Sequence, residues 1–384
     1  MDTLCFCHLR WNFVYQRPQH LMTRFARRGR VHLWEEPLFD GRESARLAVY
    51  SNTAGVTVIT PVLPNGLDAR EIAYTQRDLL IQYLEQVGIR ELCAWYYTPM
   101  ALQFSDHLNA VVTVYDCMDE LSAFQGAPSE LTDYERRLFA RADVVFVGGT
   151  SLYASKRMQH GNLRLFPSSI DYSHFAAARQ KLEDPADQKN ISYPRIGFFG
   201  VLDERLDRNL LQEVASLHPE WSFVLVGPVV KIHEDDLPQA ANLHYLGQKD
   251  YRELPAYLAN WDVAMLPFAL NASTKFISPT KTPEYLAAGR PVVSTPIQDV
   301  VSPYAEMGLV RIGANAREFA DAIALCLGDG TQEWLAKVDR FLRGNSWDKT
   351  FEGMWTEIQR CRPQRARQVP QGGVELSAEE HADV

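Results

Sequence analysis

Between Ser278 and Val293 the chain reads SPTKTPEYLAAGRPVV, a loop followed by a helical segment and a buried strand. Just upstream, the run from Asp262 to Leu266 predicts an earlier strand. Gly289 and Pro291 are expected to end the helix before the final apolar pair. A strand, a helix and a second strand in this order are typical of a parallel sheet covered by helices.

The same alternation extends through the chain in both directions. Short apolar runs alternate with amphipathic ones from Leu4 to Phe166, and again from Arg195 onward. The polar segment 176–194 has no apolar period and contains Pro185, which is typical of a linker. Because 384 residues are too many for one hydrophobic core, we predict an α/β protein of two Rossmann-like, doubly wound domains. A ligand cleft is expected where the carboxyl ends of their strands meet.

The predicted organisation has five parts. They are a first domain over 1–175, a linker over 176–194, a second domain over 195–345, a terminal helix over 346–361 and a polar tail over 362–384. The tail has an acidic end and two adjacent glycines, a composition that is typical of disorder.

Composition argues against several classes of protein. A net charge of -9 disfavours nucleic-acid binding, and no apolar run approaches the ~20 residues of a membrane helix. The six cysteines show no zinc spacing, and the apolar start is too short for a signal peptide, so a cytoplasmic location is expected. The basic run from Arg17 to Arg30 indicates a solvated helix face, with a rim that meets anionic lipid or phosphate as the alternative.

Four residues of the opening stretch have the chemistry of a phosphate and sugar site. Ser278 and Thr280 precede the predicted helix, whose free N–H groups and dipole favour a phosphate. Lys281 adds a full positive charge, and Glu284, one turn further, is placed to accept both hydroxyls of a ribose. The alternative is that Glu284 is only a favourable acid in a first helical turn.

This stretch resembles the donor-binding signature of the retaining GT-B glycosyltransferases of family four, the glycosyl transferases group 1. In that family a helix of the form E-x-x-A-x-G-x-P-V-V supplies the ribose-binding glutamate, and Glu284 matches it. A further glutamate often lies eight residues upstream, where this chain has Phe276. The resemblance implies that contact with the donor sugar falls to another acid or to backbone amides over 278–281.

The resemblance covers nearly the whole chain and is strongest over 195–293. Gly200 followed by Arg205, with Arg208 as a substitute, resembles the turn that meets the diphosphate, and 347–359 resembles a terminal helix that crosses back onto the first domain. The implied nucleotide-sugar site consists of Gly200, Arg205, Gly227, Gly247, Ser278, Thr280, Lys281 and Glu284.

The first domain supplies candidate catalytic groups. Asp116 and Asp119 follow the strand predicted over 111–115, and strand ends are where catalytic groups collect. We expect one of them, Asp116 before Asp119, to activate or position the acceptor; the alternative is a capped loop. Tyr115 stands where the family commonly has a histidine, and Gln16 with Arg17 is expected to face the cleft.

The resemblance implies transfer of a sugar from a nucleoside-diphosphate sugar, with UDP favoured, to a glycan, lipid-linked or small-molecule acceptor. Configuration would be retained, and no cofactor beyond the donor co-substrate is expected. The sequence has no Asp-x-Asp pair, so we predict no metal. The alternatives are an epimerase or phosphorylase of the same architecture, or a non-catalytic protein that binds nucleotide sugars. A nicotinamide enzyme is disfavoured because no G-x-G-x-x-G follows a strand.

Overall fold

The structure is a computed structural model that describes residues 1–328 and 332–366. Its strands are β1 Asp2–Cys7, β2 Val31–Glu35, β3 Leu38–Asp40, β4 Arg46–Ser51, β5 Val56–Pro64, β6 Leu92–Tyr96, β7 Val112–Cys117, β8 Val144–Val147, β9 Leu163–Leu165, β10 Arg195–Phe199, β11 Ser222–Val226, β12 Leu243–Tyr245, β13 Val263–Leu266, β14 Val292–Ser294 and β15 Arg311–Ile312. Its α-helices are α1 Arg17–Phe25, α2 Ala69–Val87, α3 Leu102–Ser105, α4 Leu131–Arg141, α5 Thr150–Lys156, α6 Tyr172–Ala176, α7 Arg208–Leu217, α8 Leu254–Ala259, α9 Lys281–Ala287, α10 Gln298–Val300, α11 Ala316–Gly328, α12 Gln332–Leu342 and α13 Trp347–Ala366.

The strands form two sheets, one in each half of the chain. The first has the order β3-β5-β2-β1-β6-β7-β8-β9, with β4 antiparallel to the outer side of β5. The second is parallel throughout, in the order β12-β11-β10-β13-β14-β15. The strand order reverses beside β1 and beside β10, so each sheet has one switch point for a ligand. The prediction of two doubly wound α/β domains is confirmed.

The central strands are apolar because helices cover both faces of each sheet. Every residue of β10, β11 and β13 is buried. The edge strand β4, in contrast, has four exposed residues in succession. Sequence periodicity did not predict β3 or β4. Side chains on both faces of these edge strands are largely exposed, so their sequences need no alternation of apolar and polar residues.

The last helix, α13, crosses back onto the first domain. Its residues Trp347, Phe351 and Met354 are buried in the same cluster as the strands β1, β2 and β6. The helix continues to Ala366, so that residues 362–366, predicted as tail, are helical instead. The rest of the predicted tail, 367–384, lies outside the described residues.

The basic run of α1 and the following loop is paired within the chain. Arg24 Nε lies 2.9 Å from Asp348 Oδ1, and Arg28 Nη2 lies 2.8 Å from Glu352 Oε1, both on α13. Arg30 pairs with Asp2 at 2.6 Å. These ion pairs are typical of a solvated helix face, and the two that involve Asp348 and Glu352 hold α13 against α1. Within the described ranges, no helix combines the length and apolar character needed to cross a bilayer.

Candidate active site

A cleft of about 1080 Å³ lies between the two domains. It opens at the carboxyl ends of β1, β6 and β7 on one side. On the other side it opens at the carboxyl ends of β10, β11 and β12 and at the start of α9, as the switch-point rule predicts. The first-domain wall includes His8, Gln16, Asp119 and Phe124. The second-domain wall includes Gly200, Arg205, Gly227, Lys231, Tyr251, Thr280, Lys281 and Glu284.

Two glycine turns of the second domain pack against each other, and one of them lies against the Lys281 side chain. Gly200, directly after β10, has φ 146°, and a Cβ there would lie 2.1 Å from Lys281 Cε. Gly227, directly after β11, has φ 150°, and a Cβ there would lie 1.8 Å from the Gly200 carbonyl oxygen. Both positions therefore require glycine. Gly247 is not part of the cleft wall; its carbonyl oxygen accepts a 2.8 Å bond from the Gly227 N–H and supports that turn.

Lys281 and Glu284 lie in the first turn of α9, at the floor of the cleft. Burial lowers the pKa of the Lys281 ammonium, which nearby Glu284 partly offsets. Burial raises the pKa of the Glu284 carboxyl to about 8, although the positive charge of Lys281 acts to lower it. A carboxyl group and an ammonium group whose pKa values burial shifts toward each other have the electrostatics of a ligand site.

Arg205 reaches the cleft with its guanidinium already held by a carboxylate. Its Nε and Nη2 donate to the two oxygens of Asp203 over 2.6–3.1 Å. The same guanidinium lies 5.4 Å from the ring centroid of Phe124, which comes from the first domain. Arg208 lies outside the cleft wall, and its Nη1 donates to the Asp236 carbonyl at 3.3 Å near the surface.

The structure corrects the expected positions of Asp116 and Arg17. Both side chains are buried, and neither is part of the cleft wall. The Arg17 guanidinium binds the Asp116 carboxylate and donates to the Phe166 carbonyl at 2.8 Å. A buried guanidinium needs such a counter-ion, and Asp116 supplies it away from the cleft wall. Gln16 does line the cleft.

Asp119 is the carboxylate of the predicted pair that lines the cleft. Burial raises the pKa of its carboxyl to about 6, and the charges of Arg205, Arg17 and Lys281 act in the opposite direction. Two of these cations belong to the second domain, so Asp119 lies within electrostatic reach of the groups around α9. A carboxylate with this pKa is suited to exchange a proton near neutral pH.

Tyr115, in the position of the family's histidine, points into the first domain. Its hydroxyl donates to Glu135 Oε1 at 2.8 Å, and Lys156 Nζ binds Glu135 Oε2 at 2.8 Å and Glu120 Oε1 at 2.9 Å. This buried network fixes the start of the loop that begins at Asp119. The sequence could not indicate it, because its members come from β7, the loop after β7, α4 and α5.

Two second-domain positions next to the donor motif contact the first domain instead of lining the cleft. Phe276, where the family often has a glutamate, packs against the first domain's apolar cluster. Ser278 lies against Gly149, where an added Cβ would be 2.8 Å from Ser278 Cβ. Nearby, the Asp299 carboxylate accepts from the N–H groups of Thr150 and Ser151 at 2.8 and 2.9 Å. This segment therefore joins the domains.

Sequence reasoning missed many of the cleft residues, and His8, Lys231 and Tyr251 are three of them. His8 follows β1, where the strand-end rule could have found it; burial and the charge of Lys231 lower its pKa to about 4. Lys231 lies in the cleft wall with a positive φ of 63°, and no sequence motif around it predicts either its conformation or its position. Tyr251 follows β12 and lies close to Glu284 only in the folded chain. Among the described residues, no group of three or more His, Cys, Asp or Glu side chains is arranged to hold a metal.

Comparisons with known proteins agree with this geometry. Residues 193–329 match the family described as glycosyl transferases group 1. The chain is 25% identical over 291 residues, 70% of its length and 68% of the relative's, to a putative teichuronic acid biosynthesis glycosyltransferase, TuaH, of Bacillus subtilis strain 168.

Solved structures show the same fold at low identity. One is the catalytic domain of starch synthase IV from Arabidopsis thaliana bound to ADP and acarbose (TM-score 0.67, 10% identity, 94% of this chain and 99% of that one). Another is described as trehalose-6-phosphate from E. coli bound with UDP-2-fluoro glucose (TM-score 0.63, 12% identity, 96% and 100%). Identities this low support the two-domain fold and leave the donor base and acceptor open.

Proposed function

Because this chain is a GT-B glycosyltransferase of group 1 that depends on a nucleotide sugar, we propose that it transfers a hexosyl group from a UDP-sugar, with retention and without a metal. The acceptor class we propose is a growing glycan, lipid-linked or free, in polysaccharide biosynthesis at the cytoplasmic side of the membrane. The name of the TuaH relative supports this choice.

One observation carries the proposal. The cleft brings Lys281 and Glu284 of the second domain into the same space as Asp119 of the first. The first two match the donor signature, and Asp119 comes from the opposite wall. A site in which donor groups and a proton-accepting carboxylate converge from two domains is suited to group transfer, since domain closure excludes water.

On the donor side, the cleft offers groups for the ribose and for the diphosphate. The Glu284 carboxylate accepts hydrogen bonds from the ribose hydroxyls. Lys281, Arg205 and the amides at the start of α9 stabilise the negative charge that grows on the diphosphate as the bond to the sugar breaks. Because Asp203 already holds Arg205, this cation needs little reorganisation during the reaction.

On the acceptor side, one bond forms and one breaks at the anomeric carbon, and the acceptor hydroxyl loses its proton. The acceptor oxygen bonds to the anomeric carbon while the carbon–oxygen bond to the diphosphate breaks, through an oxocarbenium-like transition state. The acceptor proton passes to the Asp119 carboxylate or to an oxygen of the departing diphosphate. We propose Asp119 for this role because it lines the cleft, whereas Asp116 does not.

A thermal-shift screen of UDP, ADP and GDP tests the donor assignment. A ligand that binds only the native state raises the melting temperature, and we expect UDP to raise it most. Turnover is then measured as release of UDP from UDP-glucose and UDP-galactose in the presence of p-nitrophenyl hexosides and polyprenyl-linked sugars. No shift with any diphosphate would overturn the donor site, and binding without acceptor-dependent release would support a binding protein.

A further inference from the structure

The ring of Tyr251 is held between the two domains. It stacks on Tyr15 of the first domain with centroids 4.7 Å apart and on His174 with centroids 4.4 Å apart. Phe175 packs edge-on against it at 5.5 Å. The His174 ring nitrogen Nε2 is also 3.0 Å from the Tyr251 carbonyl oxygen. These contacts fix both the ring and its backbone, so the hydroxyl occupies one place in the cleft wall.

That hydroxyl has no partner of its own. Its oxygen is buried, yet it forms no hydrogen bond with any residue in the described ranges. Buried phenol hydroxyls normally have a partner, and leaving one unpaired opposes folding. Burial and then the negative charge of Glu284 raise the pKa of the Tyr251 phenol far above its usual range. The group therefore keeps its proton, and the charge that acts on it most is the carboxylate proposed to bind ribose.

The chemistry of a ribose fits this pair of groups. A ribose hydroxyl that donates to a carboxyl oxygen of Glu284 still has lone pairs that need a donor. A neutral phenol in the same part of the cleft supplies that donor. We infer that the Tyr251 hydroxyl donates a hydrogen bond to the nucleoside ribose of the donor and that it forms one ribose subsite with Glu284. This inference rests on the proposed nucleotide-sugar site.

The stacking of Tyr251 on Tyr15 joins the two domains beside the proposed ribose subsite. Tyr251 belongs to the second domain, and its stacking partner Tyr15 belongs to the loop before α1 in the first. A ribose bound to the hydroxyl thus contacts the residue that touches both domains. Donor binding should therefore favour the arrangement in which Tyr15 and Tyr251 are stacked.

The test compares Tyr251→Phe with the unmodified protein by calorimetry, using UDP, 2′-deoxy-UDP and 3′-deoxy-UDP, or the same forms of ADP if the thermal screen selects adenine. Phenylalanine keeps the ring stack and removes only the donor. We expect UDP to bind about fivefold or more weakly. We also expect the preference of the protein for UDP over one deoxy form to shrink in the variant. Tyr245→Phe is the matched control, because the Tyr245 hydroxyl already donates to the Pro238 carbonyl at 2.8 Å outside the cleft wall.

The outcomes separate this inference from the donor site itself. UDP binding with equal affinity to Tyr251→Phe and to the unmodified protein would overturn the ribose contact and leave the donor site standing. A weaker affinity without any change in the ribose preference would also overturn it, because the hydroxyl would then act elsewhere. Absence of nucleoside-diphosphate binding by the unmodified protein would overturn both.

Discussion

The guanidinium of Arg17 binds both carboxylate oxygens of Asp116, with Nε and Nη2 donating over 2.8–3.1 Å. This pair connects α1 to the end of β7 beneath the cleft. Burial raises the pKa of Asp116 and the guanidinium opposes the rise. The charge pair is thus a structural element, and Asp119, three residues further along the chain, is the carboxylate of the two that lines the cleft.

Asp116→Asn should destabilise the protein by about 3 kcal/mol or more, because it leaves the Arg17 charge buried without a counter-ion. Urea unfolding measures this loss. Asp133→Asn is the control, since Asp133 forms an exposed pair with Arg136 and should change stability little. Normal stability of Asp116→Asn combined with lost turnover would restore the catalytic role expected from the sequence.

Asp119→Asn should lower turnover by ~10²-fold or more while UDP affinity stays unchanged, if Asp119 takes the acceptor proton. The base must be ionised, and its pKa is about 6. Turnover should therefore fall as the pH drops below about 6, and the variant should lose this limb of the pH profile. Full turnover in the variant would assign proton removal to the departing diphosphate.

Glu284→Ala should weaken UDP binding by roughly 1–3 kcal/mol, the usual cost of leaving buried hydroxyls unpaired. Calorimetry with UDP measures the change. Glu213→Ala provides a comparison, since Glu213 is an exposed acid on α7 that is absent from the cleft wall. Equal affinities for the Glu284 variant and the unmodified protein would end the ribose assignment.

Chelation should leave turnover unchanged, because Lys281 and Arg205 supply the positive charge that a metal would otherwise provide. Release of UDP is measured before and after treatment with EDTA, and again after addition of magnesium or manganese. Activity that EDTA abolishes and a divalent cation restores would contradict a metal-free mechanism.

Asp299→Ala should loosen the contact between the domains, since the Asp299 carboxylate binds the first two N–H groups of α5. Hydrogen exchange at Thr150 and Ser151 should become faster, while exchange in the strands of both sheets stays slow. Gly149→Ala should act in the same direction, because its Cβ would lie 2.4 Å from Asp299 Oδ2. Unchanged exchange in both variants would show that the contact does not hold the domains.

The sequence by itself determined the two-domain architecture and indicated several second-domain residues that line the cleft. Strand and helix periods are local, so β10, β11 and β13 were predicted to within a residue of their bounds. The order of Gly200, Gly227, Lys281 and Glu284 likewise follows from motifs contained in short segments. Even the crossover helix was predicted, although its end at Ala366 was not.

Tertiary structure alone decided which polar side chains face the cleft. The sequence favoured Asp116 over Asp119 as a cleft residue. A guanidinium 99 residues away holds Asp116 out of the cleft wall, whereas Asp119 lines it. Tyr251 likewise gains its position from Tyr15 and His174, which are distant in the chain. Burial and charge depend on neighbours brought together by folding, and no local period in the sequence records them.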